Sequence, residues 1–296
     1  MLELAKIIEG LNVIKVIGNI DRSISHPQKL DPLNIDDSII MWAGSKYYDT
    51  LRQVNKGVII CEEIKVEDIS SSCTYLIVEN PRSEFRILLT EFFASKTIQG
   101  VALSAVVSED SEIADSVIIG ENVVIEFGCL IQEGVIINHN TVIKKDTVIG
   151  RNSKIGSCCV IGGVGFGYER DKDGRYVFIP HIGNVKIGEN VEIGNNTTVD
   201  RAVMGSTLIE DNVKIDNLVH IAHGVHIGKN SLIIANAMVA GSVSIGENVW
   251  VAPSSSILNK VDIKSNSTIG MGAVVLKQVE EGDIIVGNPG KVLKKK

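Results

Sequence analysis

The 296-residue sequence lacks several things, and each lack closes a class of function. It has no basic excess: 29 lysines and arginines face 36 aspartates and glutamates, giving a formal net charge of -7 with the signs interspersed. Nucleic-acid binding draws its affinity from a concentrated basic surface, so no nucleic-acid partner is expected. It has no CxxC pair. Its five cysteines, Cys61, Cys73, Cys129, Cys158 and Cys159, are odd in number, which suits reduced thiols in a cytoplasmic protein rather than a disulfide framework. No signal peptide and no apolar run of about 20 residues is present, so no transmembrane segment is expected.

What is present is a repeat. A branched aliphatic residue recurs every sixth position ten times from Val107 to Ile161, resumes at Ile187, Ile193 and Val199, slips by four, and runs from Ile209 to Val275. Neither a period of 3.6 nor simple alternation produces this spacing. A parallel β-helix does: each hexad makes one flat face with its aliphatic residue inward, and three faces close a triangular coil. Turn-prone residues follow many of these positions, as in Gly120-Glu121-Asn122 and Gly246-Glu247-Asn248. A coil then takes about 18 residues and rises by about 4.8 Å, the spacing of paired strands. Residues 18 or 36 apart stack on one face, and residues six apart lie on different faces.

The repeat divides the chain into residues 1–100 and residues 101–296. The first segment alternates helical patterns (2–11, 47–54, and a helix starting at Asn80-Pro81 with Phe85, Leu88, Leu89 and Phe92 on one face) with strand patterns (13–17, 38–42, 57–61, 75–78). It reads as a small α/β domain. Trp42, Tyr47 and Tyr48 fit either a base-stacking pocket or an aromatic core. In the second segment, residues 162–186 interrupt the repeat with a glycine-rich, aromatic stretch that includes Phe166 and Tyr168. A loop this long in a regular solenoid is either a flap over a ligand, on its own surface or a neighbouring subunit's, or a segment packed on its own coil.

Three of the six histidines, His220, His223 and His226, fall within seven residues. His220 and His226 are six apart and so point away from each other, and no two histidines are separated by 18 or 36. No metal centre within one subunit is expected, although one assembled across subunits stays open. The alternative is a single histidine acting as general base toward an amine or hydroxyl, with Asp216 as a candidate orienting carboxylate.

Taken together, Lys46-Tyr47, Asn80-Pro81-Arg82, Gly165-Phe166-Gly167-Tyr168, Ile179-Pro180, Thr197-Thr198-Val199-Asp200-Arg201, Asp216-Asn217 and Ile221-Ala222-His223 resemble the UDP-3-O-acylglucosamine N-acyltransferases of lipid A biosynthesis. That family belongs to the left-handed β-helix hexapeptide acyltransferases. The resemblance implies a mainly β fold, a left-handed parallel β-helix behind a small α/β domain that holds uridine, and a homotrimer with sites between subunits. It implies transfer of an acyl group from an acyl carrier protein thioester to the amine of a UDP-linked 3-O-acylglucosamine, with no bound cofactor and no metal. His223 would be the base, Asp216 its orienting group, and the amide of Gly241, one coil on, the oxyanion donor. Tyr47, Trp42, Asn217, Phe166, Tyr168, His220 and Lys260 would contact substrate.

The sequence departs from the family pattern in places. Lys260 stands where the family has a second histidine, 37 residues after the base, and Met41 and Gly44 stand where its uracil pocket has an aromatic residue and an asparagine. The Gly287-Asn288-Pro289-Gly290-Lys291 ending is similar to that of coenzyme A-dependent sugar acyltransferases, which makes coenzyme A thioesters and another nucleotide-linked amino sugar the alternative substrates. A metal-dependent hydratase and a non-catalytic scaffold are the rivals outside this class.

Overall fold

The computed structural model describes residues 1–33, 35–63, 70–94 and 100–294. They form two compact units, Met1–Thr97 and Ile98–Lys296.

In the first unit five strands pair in the order Lys15–Ile17, Thr74–Ile77, Val58–Cys61, Ile39–Ala43, His26–Pro27. Only the first pairing is antiparallel. Successive residues of a strand face opposite ways, so the apolar runs feed two cores. Met41, Ile59 and Tyr75 pack on one side with Leu51, while Ile40, Ile60 and Leu76 pack on the other against Leu4, Ile7 and Leu88 of the flanking helices Leu4–Glu9 and Pro81–Leu88. The latter helix starts as its sequence dictates: the Asn80 side chain accepts from the Ser83 amide at 3.1 Å and Pro81 fills the first position. Its expected apolar face changes phase at Leu89, where the chain widens into a π turn over Leu89–Phe93. Phe85, Leu88 and Phe92 stay against the core and Leu89 turns outward.

In the second unit nearly every hexad gives a two-residue strand, the first side chain outward and the second inward, as in His220–Ile221 and Met238–Val239. Each strand pairs in parallel with the corresponding strand one coil on, and the strands stack into three sheets. The inward isoleucines and valines form one continuous buried column, each contributing about 1.5–3 kcal/mol by leaving water. A second inward position carries small residues, and where these are polar the hydroxyl bonds to backbone: Thr141 Oγ1 donates to the Gly156 carbonyl at 2.7 Å and Ser231 Oγ to that of Gly246 at 2.8 Å. Corners require a left-handed residue, which asparagine tolerates better than most. Asn212 and Asn230 adopt φ of 59° and 60°, and the Asn212 side-chain amide donates to that of Asn230 at 2.7 Å.

The two interruptions of the repeat lie at one place. Strand Val160–Val164 extends past its hexad to pair with Thr198–Arg201, with Gly163 opposite Asp200 and Val164 opposite Arg201. With the sheets numbered so that Lys214–Ile215 lies in the first, His220–Ile221 in the second and His226–Ile227 in the third, both strands belong to the second sheet and both then cross to the third, one through residues 165–183 and the other through residues 202–205. His223, Gly241 and Lys260 occupy that same sheet-two to sheet-three corner in successive coils.

Candidate active site

His223 sits at the corner between strands His220–Ile221 and His226–Ile227. The register pairs Ile221 with Val239, which stacks Gly241 on His223, and the Ser242 amide donates to the His223 carbonyl at 2.9 Å. A β-carbon at Gly241 would lie 2.7 Å from both Cε1 and Nε2 of His223, so the imidazole reaches that close only because this residue is glycine. The Gly241 amide donates to no group among the described residues. One coil further on, the Lys260 amide donates to the Gly241 carbonyl at 3.0 Å, and its side chain stands on the same corner.

The long loop comes back onto this imidazole. His181, only 7% exposed, lies edge-on to His223 with ring centroids 5.2 Å apart at 80°. Gly165 closes the gap, since a β-carbon there would meet His181 Nε2 at 2.8 Å and His223 Cβ at 2.9 Å. His181 stacks on Phe178 at 5.7 Å, Phe178 meets Tyr168 at 5.7 Å, and Tyr168 meets Phe166 at 4.9 Å. An aromatic row therefore runs from the buried His181 imidazole out to Phe166, which is 87% exposed. Tyr168–Arg170 and Tyr176–Phe178 pair as an exposed hairpin at its outer end.

Asp200 and Arg201 fix the floor. Arg201 is buried and uses its guanidinium to tie down the root of the loop, donating to the Gly162 carbonyl at 2.8 Å and the Lys145 carbonyl at 3.2 Å. The Asp200 carboxylate, largely buried, interacts electrostatically with His220, His223 and His181, and its Oδ2 lies 3.8 Å from His220 Nε2. Burial raises the Asp200 carboxyl above its ordinary range against the opposing pull of the three imidazoles. His223 is lowered, first by burial and then by its neighbour His181, with Asp200 opposing, and a lowered imidazole is a neutral one, ready to accept a proton. The outward His220 ring also bonds Thr198 Oγ1 through Nδ1 at 2.8 Å.

Within one chain Asp216 and His223 do not meet. Asp216 lies at the corner between the first and second sheets, because strand Lys214–Ile215 belongs to the first. Its carboxylate accepts from the Asn217 amide at 2.7 Å, the Asn217 side chain at 2.9 Å and the Ala235 amide at 3.3 Å, and no hydrogen bond joins it to His223 among the described residues. Asn217 shares that corner, its side-chain oxygen accepting from the Asn195 amide at 2.6 Å. Within the chain, then, Asp200 and not Asp216 is the carboxylate acting on His223. No two histidines are 18 or 36 apart, yet the loop returns His181 to the corner outside the hexad register and sets it against His223. His220 and His226 do lie in different sheets, and His226 Nε2 pairs with Glu210 at 2.8 Å.

Trp42 and Tyr47 belong to the first unit. Their rings meet edge to face at 6.4 Å, and Tyr47 is half exposed while Trp42 packs against Phe85 at 6.4 Å.

The profile of the bacterial transferase hexapeptide family (six repeats) matches residues 128–163, 206–241 and 242–277. The UDP-3-O-acylglucosamine N-acyltransferase of Campylobacter lari is 42% identical over 258 residues, 83% of this chain and 81% of that one. The chain belongs to the UDP-3-O-acylglucosamine N-acyltransferase family. That of Chlorobium chlorochromatii is 41% identical over 252 residues, covering 78% of this chain and 70% of the relative. Among solved structures, the Francisella novicida UDP-N-acetylglucosamine acyltransferase superposes with a TM-score of 0.58 at 26% identity, over 63% of this chain and 66% of that one.

For a member of this N-acyltransferase family, His181 and Asp200 are the site residues that reading the sequence missed. Ile161, Val199 and Ile221 all belong to the second sheet, so the loop, the slip and the histidine cluster leave it at one corner. No helix among the described residues is long and apolar enough to cross a membrane.

Proposed function

We propose that the protein transfers an acyl group from a thioester to the amine of a UDP-linked 3-O-acylglucosamine, the lipid A type of reaction, with His223 as general base. The observation that carries this reading is the stacking of the His223 imidazole beneath Gly241, whose amide is unengaged. The names of the relatives supply the substrate class. The amine nitrogen attacks the thioester carbonyl carbon while His223 Nε2 takes one of its protons. The carbonyl oxygen becomes an oxyanion that the Gly241 amide can meet, the C–S bond then breaks, and the proton passes to the departing thiolate, leaving an amide and a thiol.

Asp200 supports the base electrostatically. Phe166 and Tyr168 are proposed to line the acyl path, with Lys260 and His220 at the rim, and Asn217 on a separate corner with Asp216. The exposed face of Tyr47 beside Trp42 is a stacking surface suited to a nucleobase. Acyl carrier protein is the proposed donor, a homotrimer the proposed assembly, and the cytoplasm, where the five unpaired thiols persist, the proposed location.

The test incubates the purified protein with UDP-3-O-acylglucosamine and either an acyl carrier protein or a coenzyme A thioester and follows the sugar by mass spectrometry. An N-acylated product from the carrier thioester supports the full reading. Product only from coenzyme A replaces the donor, and no acylation of any UDP-amino sugar overturns the reaction.

A further inference from the structure

Among the described residues, one buried group near His223 has no partner. His181 Nδ1 lies 2.7 Å from the Ile179 carbonyl, which can only accept, so Nδ1 carries the proton of the neutral ring and Nε2 is left as a bare acceptor. That Nε2 is buried and meets no donor among the described residues. An unpaired buried acceptor is costly enough that native structures rarely keep one without a use. This one is held in place rather than left by accident. Phe178 stacks on the ring at 5.7 Å and 16°, and the positions of Gly165 and Gly167 exclude side chains that would fill the space, since a β-carbon at either would come within 2.8 Å of the ring. His223 is the polar side chain whose ring it meets.

We propose that His181 is a substrate-contacting residue and that its Nε2 accepts a hydrogen bond from the nucleophilic amine. The inference rests on the N-acyl transfer reading above. An amine nucleophile carries two N–H groups and a hydroxyl nucleophile carries one O–H. His223 takes one hydrogen of the amine. The second needs an acceptor beside His223, and fixing both turns the nitrogen lone pair toward the thioester carbon. Two imidazole acceptors therefore match an amine, and His181 makes the site selective for nitrogen over oxygen.

The experiment compares wild type with His181→Leu, which removes the acceptor, and His181→Gln, whose side-chain oxygen restores one, after thermal denaturation has confirmed that each variant is folded. Two quantities are read: kcat/KM for UDP-3-O-acylglucosamine, and the competitive inhibition constant of the analogue bearing a hydroxyl in place of the amine. The expected result is a loss of about 10- to 100-fold in kcat/KM for His181→Leu, with His181→Gln within about fivefold of wild type and the inhibition constant of the hydroxyl analogue moved less than about threefold. Equal losses on amine and hydroxyl ligands, or a kcat/KM for His181→Leu near that of wild type, overturn the proposal. If His181→Leu does not fold, His181→Met takes its place, and a folded His181→Gln as inactive as the apolar variant also overturns it. A wild type that acylates no UDP-amino sugar overturns the reading of the reaction instead, which keeps the two failures apart.

Discussion

A single missing methyl group decides the geometry of this centre. Gly241→Ala would put a β-carbon 2.7 Å from the His223 imidazole in a register fixed by the stacked coils, so the ring must rotate away. We expect kcat/KM to fall by at least about 100-fold, as loss of one preorganised donor or base does, while the melting temperature changes little. Steady-state kinetics and a thermal scan check both. The charges around His223 give a second prediction with a sign. Burial and His181 hold His223 below its ordinary pKa and Asp200 pushes it up, so the acid limb of the kcat/KM profile should lie below the ordinary imidazole range. Asp200→Asn removes the upward push and moves that limb to lower pH, whereas His181→Gln removes a downward push and moves it higher. A pH profile that shifts the other way in either variant contradicts the assignment. The family resemblance singles out His223 and Gly241, and their 18-residue separation in the hexad register puts them one coil apart. Asp216 stands one face away from His223 within the chain, because one hexad is a whole face of the coil.

The loop and the slip after Val199 are built together. Their strands pair with each other, Gly163 opposite Asp200, and Arg201 ties down the loop root from inside. The sequence marked the loop as an interruption, but six-residue counting stops at Ile161, so nothing in the pattern said where its return arm would lie. That arm carries His181. The exposed hairpin beyond it adds little to the fold, because Tyr168–Arg170 and Tyr176–Phe178 pair only with each other. Replacing residues 169–177 with a short glycine-serine turn should leave far-UV circular dichroism and the melting temperature within a few degrees of wild type. Its cost should appear in turnover, at about tenfold or more in kcat/KM, if the hairpin helps to position substrate. Full activity after the replacement would assign the hairpin to another role.

At the scale of the whole molecule, the β-helix was the most legible feature, since one inward aliphatic residue per hexad specifies both the sheet and its corner. The proposed homotrimer predicts a sedimenting species of three times the chain mass that persists on dilution into the nanomolar range, and a stable monomer with full activity would contradict it. In the proposed reaction one imidazole at one corner removes the proton from a sugar amine. The most direct test is thiol release from an acyl carrier protein thioester in the presence of UDP-3-O-acylglucosamine, comparing wild type with His223→Ala. Sugar-dependent release should fall by about 100- to 10,000-fold in the variant, the range for loss of a general base, with the variant still folded and still binding the nucleotide sugar. Release that survives the substitution would contradict it.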